Sequence, residues 1–481
     1  ISMFDDRSRK YKNQYVPLLP VDISRYEPFV GKEALDDIWN LAKPLQNKIW
    51  ANVNSTFVGG GVAEMLQSVI PFARGLGIDA RWFVIEGSED FFTVTKKFHN
   101  LLQGVDQPIS LQEIFHAYLD IIDVNTRKVK VVGDMITVHD PQPAAMVMNG
   151  NIYGHTIWRC HIDTSNASRR IWRFLLPYIN QYEGAIFTAP EFVKDNLKIP
   201  TYEISPSIDP LRAKNKQRSR KEALKVLEPV FNKYNLDPQR PMVVAVSRYD
   251  IHKNQKGIIE SFKLMKQSLA KGMNPILVIM GNSATDDPEG NIIYEQVKKA
   301  AGDDKDIYLL LNVENNDEVV GSLMSIANCF VHISTKEGFG LVVAEAMWQG
   351  IPVIGSKVGG IPKQVVNGAN GFLVGPYENS QIARVMQTFL EDKGLRDSFG
   401  QAARKHVAEN FLLPQMLKKE IILMRYHLEI DNKNPDFRMN DLTYREITQA
   451  LYSRKNWPFS TSDLKRQIES IGEDLEPGEI D

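Results

Sequence analysis

The run Ser334-Thr335-Lys336-Glu337-Gly338-Phe339-Gly340-Leu341-Val342-Val343-Ala344-Glu345-Ala346-Met347 carries the strongest chemical signal in this 481-residue chain. A strand-like segment ends, a glycine-flanked loop turns, and a helix is expected to start near Leu341. Loop amides and a helix N-terminus suit an anion. Glu337 precedes the helix and Glu345 lies inside it; carboxylates accept hydrogen bonds from sugar hydroxyls. Two plainer readings stand beside this one. An acid at a helix start simply stabilises the helix, and Glu345 could be an exposed helical position. A second glycine-rich turn, Gly355-Ser356-Lys357-Val358-Gly359-Gly360-Ile361-Pro362, follows the next strand.

Four other clusters sit at strand ends. Arg248 and Lys253, in Ser247-Arg248-Tyr249-Asp250-Ile251-His252-Lys253, lie just past the strand-like VVAV. Arginine binds phosphate oxygens in pairs and lysine adds a point charge; as an isolated pair they would be surface cations. The triplet Gly59-Gly60-Gly61 follows an apolar strand and opens a helix. Glycines let backbone approach a diphosphate closely, or merely make a tight turn. Val138-His139-Asp140-Pro141-Gln142-Pro143 and Arg159-Cys160-His161-Ile162-Asp163 close two more strands. Open α/β sheets bind ligands at that end. Alternation puts Arg159, His161 and Asp163 on one face.

These clusters need elements to hold them. Strand-like runs at Ile49–Asn54, Ala80–Ile85, Met135–His139, Thr156–Cys160 and Ala185–Thr188 alternate with helix-like stretches such as Ala63–Arg74, Phe91–Gln103 and Arg169–Ile179. After a pause at Ser205-Pro206-Ser207-Ile208-Asp209-Pro210 the alternation resumes. Its strands are Val243–Val246, Ile276–Met280, Ile307–Leu311, Cys329–Ile333 and Pro352–Ile354, and its helices include Ile258–Leu269 and Val342–Trp348. The pattern predicts an α/β chain of two Rossmann-like halves built from parallel βαβ units. The expected division is 1–205, then 206–403, then helices at 404–430 returning to the first domain. A tail at 431–481 should hold two short helices, near 441–451 and 461–470, and a disordered acidic end.

Bulk properties narrow the class. Hydrophobic residues are 43%, charged residues 24% and the net charge −2, ordinary values for a globular chain and without the concentrated basic face a nucleic acid needs. The basic run Lys214–Lys221 is expected to be a solvated loop or helix start. Two cysteines, Cys160 and Cys329, in apolar strands suggest buried, reduced thiols. No apolar run reaches membrane-spanning length and no signal core opens the chain, so a cytoplasmic enzyme is expected, with no membrane or nucleic-acid partner. A homodimer is allowed. The acids Asp286 and Asp287 are read as a loop near a nucleobase; no metal site is assigned.

Taken together, EGFGLVVAEAM, G-x-P-V-I-G and VGGIP resemble the donor-site signature of retaining GT-B glycosyltransferases. NSTFVGGGVAEML, GIDARWFVIEG, FHNLLQG, VHDPQPAA, WRCHID, SPSIDP, SRYD, DDPEG and EAMWQGIPVIG narrow this to the trehalose glycosyltransferring synthases and the related retaining trehalose phosphorylases. The resemblance spans about Val30 to Leu428. It implies two Rossmann-like domains facing across a cleft, with nucleotide sugar on the C-terminal domain and acceptor on the N-terminal one. In that scheme Arg248 and Lys253 bind the donor diphosphate and Glu345 the ribose. Glu337, with the amides of Phe339, Gly340 and Leu341, holds the hexose and phosphates, while Gly60 and Gly61 close on the phosphates. His139 lies by the transferred sugar, and Asp163 with Arg159 and His161 shapes the acceptor side. No metal and no cofactor are implied; the nucleotide sugar is a co-substrate, and retention proceeds by front-face attack. One departure is the NQKG after Lys253, where glycine should follow directly, so Lys256-Gly257 rivals Lys253.

The leading expectation is glucose transfer from an NDP-glucose to glucose, forming trehalose. The alternatives are a trehalose phosphorylase and a transferase for another small acceptor such as a glycerate derivative. A dinucleotide oxidoreductase would need spaced glycines that are lacking here. A catalytically dead scaffold sits badly with intact Arg248, Lys253, Glu337 and Glu345.

Overall fold

The computed structural model describes residues 15–57, 60–149, 151–282 and 288–439. The expected tail helices, Gly59, and the Asp286–Asp287 pair lie outside the described residues.

The chain divides into two compact units. One comprises residues 1–23, 36–205 and 417–481, the other residues 24–35 and 206–416. Each is an α/β unit around a six-stranded sheet in which every strand pairing is parallel.

In the first unit the strands are β1 (Ile49–Asn54), β2 (Asp79–Val84), β3 (Val131–His139), β4 (Ile152–Cys160), β5 (Gly184–Phe187) and β6 (Thr201–Glu203). Their order is β2-β1-β3-β4-β5-β6. In the second unit they are β7 (Met242–Val246), β8 (Ile276–Gly281), β9 (Ile307–Leu311), β10 (Cys329–His332), β11 (Val353–Ser356) and β12 (Gly371–Val374), in the order β12-β11-β10-β7-β8-β9. Counted from its own first strand, the second sheet has the 3-2-1-4-5-6 order of dinucleotide-binding folds, and the first has the flavodoxin-like 2-1-3-4-5 order with one strand added.

Apolar residues on both faces explain why these runs become sheet. β8 is buried along its whole length, as a strand covered by helices on both sides must be. Val244, Val278 and Phe330 belong to one core of the second unit, and Val243, Leu277 and Val331 to another. In the first unit Val53, Ile136, Val138 and Trp158 anchor the core. Cys160 and Cys329 are free and buried.

Two strands have no counterpart in the sequence reading, β6 and β12. Both are edge strands, three and four residues long. β6 reads Thr-Tyr-Glu, not an apolar run, and β12 opens on glycine with its two middle residues only half-buried, so neither carries the signal of a strand covered on both faces.

Each sheet reverses its strand order once, between β1 and β3 in the first unit and between β7 and β10 in the second. Such a reversal opens a crevice at the carboxyl ends of the strands, where ligands of open α/β sheets bind. The segments after β1 and β3, and after β7 and β10, are the ones that carry the clusters singled out above.

Candidate active site

In the second unit, the segment after β7 forms a short turn of helix at Ile251–Lys253, and the segment after β10 carries Glu337. Lys253 Nζ donates to Glu337 Oε2 at 2.7 Å. The two loops are tied elsewhere: the Thr335 N–H donates to the His252 carbonyl at 2.7 Å. Arg248 is exposed and forms no ion pair among the described residues.

The NQKG departure has a physical explanation. Asn254 adopts the left-handed region (φ 50°) and its side chain caps the helix Gln255–Ser268 by accepting from the Gly257 N–H. Asparagine tolerates that backbone better than most residues. Gln255, buried, donates to Ser247 Oγ at 2.9 Å and to the Arg248 carbonyl at 2.8 Å, clamping the loop that carries the arginine. Gly257 leaves room for the capping amide, since a Cβ there would come within 2.6 Å of it. Lys256 is exposed on the helix. Of the two rival lysines, Lys253 is the one joined to Glu337.

Glu337 is held by more than Lys253. His332 Nε2 lies 2.7 Å from its Oε2 and 3.0 Å from Ser334 Oγ. Burial pushes the Glu337 carboxyl up, but the Lys253 charge and the His332 hydrogen bond outweigh it and hold the group well below the usual carboxylate range. Burial depresses His332 despite its acidic neighbour, which keeps the imidazole neutral and donating. His332 lies outside the glycine-loop run and Ser334 only opens it; each looks like part of a buried strand end until Glu337 is placed beside it.

Beyond Glu337 the chain passes Phe339, buried with its carbonyl accepting from Gln364 Nε2 at 2.5 Å. Gly340 then caps the helix Leu341–Trp348 with φ 81° and ψ 65°, a conformation that disfavours any side chain. The second glycine-rich turn packs directly on this loop, because a Cβ on Gly360 would meet the Gly338 carbonyl at 2.6 Å. The Leu341 N–H therefore opens a helix on a tightly supported loop, a setting suited to an anion. Glu345, one of the two candidate carboxylates, is buried and ion-paired with Lys214 Nζ at 2.6 Å. The basic run was expected to be solvated; Lys214 at its head is instead 11% exposed.

In the first unit, β3 ends on His139, which is 2% exposed. His139 Nδ1 lies 3.0 Å from His161 Nε2, and His139 Nε2 lies 3.0 Å from Asn52 Oδ1 on β1. Burial, then the positive charge of Arg159, pushes both imidazoles well below their ordinary value, so both are neutral. Asp140 takes a left-handed turn (φ 62°) and its carboxyl accepts the His161 N–H at 2.8 Å. Burial pushes Asp140 up to about 7, against that hydrogen bond and the Arg159 charge.

Arg159 does not open onto the strand-end face. It is buried, donates to the buried Glu420 of the helix Leu413–His427, and has a longer contact to the Ile204 carbonyl at 3.4 Å. Asp163 accepts from the Ser165 N–H at 3.0 Å and Ser165 Oγ at 2.6 Å, a local turn. Gly60 precedes the helix Gly61–Gly75 with φ 80° and ψ 155°, a region open essentially to glycine alone, and Gly61 is exposed.

Lys253 and Glu337 thus meet in one unit, and Asn52, His139, Asp140 and His161 gather in the other. Among the described residues no group of three or more His, Cys, Asp or Glu has metal-holding geometry, and no helix is long and apolar enough to cross a membrane.

Comparison with known proteins agrees in outline. A family model described as "Trehalose synthase, N-terminal domain" matches residues 52–194, and one described as "Glycosyl transferases group 1" matches 228–406. A trehalose synthase from Thermococcus litoralis is 38% identical over 402 residues, covering 83% of this chain and 95% of the relative. A trehalose phosphorylase from Grifola frondosa is 29% identical over 81% of this chain and 58% of its own length. Among solved structures, an α,α-trehalose 6-phosphate synthase from Burkholderia multivorans overlaps 81% of this chain and all of its own, with a TM-score of 0.64 at 14% identity, a likeness of fold.

Proposed function

The chain belongs to the trehalose synthase family of GT-B glycosyltransferases, and we propose that it moves glucose from an NDP-glucose to glucose with retention, forming α,α-trehalose. The observation that carries the reading is the Lys253–Glu337 pair, with exposed Arg248 on the same loop as Lys253 and the Gly340-capped helix following Glu337, at the strand-order reversal of a nucleotide-binding topology.

The chemistry follows from charge. Breaking the bond between the anomeric carbon and the donor phosphate oxygen leaves negative charge on the diphosphate. Arg248, Lys253 and the amides of Phe339, Gly340 and Leu341 are cationic or donating groups suited to stabilise it. Glu337, ionised and fixed by His332 and Lys253, orients the hexose hydroxyls. Glu345 takes the ribose hydroxyls. The acceptor hydroxyl attacks from the face the leaving group departs, and its proton passes to the departing phosphate oxygen, so α-configuration is kept without an enzyme nucleophile. In the first unit, Gly60 and Gly61 offer exposed backbone suited to a phosphate, and His161 and Asp163, with His139 hydrogen-bonded to His161, serve a sugar.

The Grifola relative supports a second reading, phosphorolysis of trehalose in the same cationic pocket. A matrix of UDP-, ADP- and GDP-glucose against glucose, glucose 6-phosphate and glycerate, with a trehalose-plus-phosphate arm, separates them. Nucleoside diphosphate release with an α,α-product by NMR supports the synthase. Turnover only with trehalose and phosphate would replace it by the phosphorylase. Glu337→Gln should lower kcat about 100-fold or more, keep the α-product and trap no adduct. A glycosyl–Glu337 species in the mass spectrum would make this residue a nucleophile instead.

A further inference from the structure

Asn52 belongs to no motif, yet its side chain is fully buried in the middle of β1. Its amide oxygen faces His139 Nε2 at 3.0 Å, while its amide nitrogen has no hydrogen-bond partner. A buried amide left half unsatisfied is a poor choice for packing; an apolar side chain of the same shape would be at least as stable. Something other than stability explains the polar group.

Its chemistry propagates. An amide oxygen only accepts, so His139 must carry its proton on Nε2. A neutral imidazole has one N–H, so His139 Nδ1 is a lone pair. The 3.0 Å contact to His161 Nε2 then requires His161 to donate from Nε2, leaving the His161 Nδ1 lone pair free. No partner for that nitrogen occurs among the described residues. His161 is the half-buried end of the chain and His139 the buried link. The Asp140 carboxyl, by accepting the His161 N–H, fixes the backbone from which the outer ring projects.

We propose that Asn52 is a positioning residue that sets the tautomer of the His139–His161 chain, so that His161 presents its Nδ1 lone pair as an acceptor for a sugar hydroxyl. The sugar half rests on the sugar-transfer reading above. The tautomer half does not depend on it. His161, not His139, is the member that touches the ligand.

Ring 15N–1H correlation spectra of the full-length chain, labelled at histidine and assigned with His139→Gln and His161→Gln, read the tautomers without any substrate. Both rings should carry the proton on Nε2. Asn52→Asp keeps an acceptor and should preserve that state. Asn52→Leu should shift His139 toward the Nδ1–H form, with His161 following, and leave the melting temperature unchanged or higher. An amide turned end for end would invert every bond in the chain. A protonated Nδ1 on His161 in the wild type, or unchanged tautomers in Asn52→Leu, would therefore overturn the proposal. If Asn52→Leu does not fold, the wild-type and Asn52→Asp spectra still decide it. Titration with trehalose or glucose should move the His161 ring signals more than those of His139. A response confined to other histidines would refute the sugar half and leave the tautomer half standing. In turnover, Asn52→Leu should raise KM for the acceptor sugar about tenfold, the value of one hydrogen bond, with kcat little changed.

Discussion

Lys253 and Glu337 meet at 2.7 Å, and each residue's chemistry depends on the other. Lys253→Ala removes a phosphate partner and also leaves a largely buried carboxylate with only His332 and Ser334. Turnover with the nucleotide sugar should fall roughly 30- to 1,000-fold, corresponding to about 2–4 kcal/mol for a lost charge-assisted contact. Arg248→Ala should fall in the same range, and exposed Lys256→Ala should stay within about threefold of wild type. Steady-state kinetics on the three variants checks this; a crippled Lys256→Ala beside an active Lys253→Ala would exchange their roles. Asp140 gives a pH prediction. Its folded-state pKa of about 7 exceeds the ordinary 3.8, so between these values the folded chain holds a proton the unfolded chain has released. Its contribution to stability therefore falls as pH rises from about 4 to about 7 and is flat above. Asparagine also accepts the His161 N–H and suits the left-handed backbone. Melting curves of Asp140→Asn should gain on wild type across that window, by an amount on the order of a few kcal/mol. A pH-independent difference would mean that Asp140 titrates normally.

At the scale of elements, the ion pair of Arg159 and Glu420 joins β4 to the helix Leu413–His427. Burial lowers the arginine pKa and raises that of the glutamate, and their mutual attraction offsets this only in part. Such a pair adds little net stability, yet removing one member strands a buried charge. Arg159→Met should cost about 3–5 kcal/mol in denaturant unfolding, and Arg159→Met combined with Glu420→Leu should recover most of it. If the arginine serves the element and not the acceptor, the double variant will keep its acceptor KM. A KM raised tenfold in a stable double variant would return Arg159 to the sugar.

For the whole molecule, the cations and helix N-terminus assigned to the diphosphate leave no task that demands a divalent ion. Turnover should persist in excess EDTA. Loss of activity restored by magnesium would show that the charge on the leaving group is met differently, and Asp286 and Asp287 would then be the first acids to substitute.

Much of this was legible in the residues. Ten of the strands announce themselves as apolar runs, because a parallel strand covered on both faces must be apolar throughout. Glycines at positive φ, such as Gly60 and Gly340, mark the turns, and the charged residues after each strand mark the ligand end. That end is dictated by local chain direction, so sequence alone reaches it. Only the tertiary structure decided which of those residues meet. Lys214 and Glu345 are 131 positions apart, Arg159 and Glu420 261, and Asn52 and His139 87. No local pattern records such pairings, because strand order and helix packing set them. Burial then changes their chemistry: Lys214 is paired instead of solvated, Arg159 is internal, and Asn52 acquires a role through the ring beside it. Side-chain type and spacing are local quantities, whereas desolvation and hydrogen-bond partnership exist only once the sheets have closed their cores.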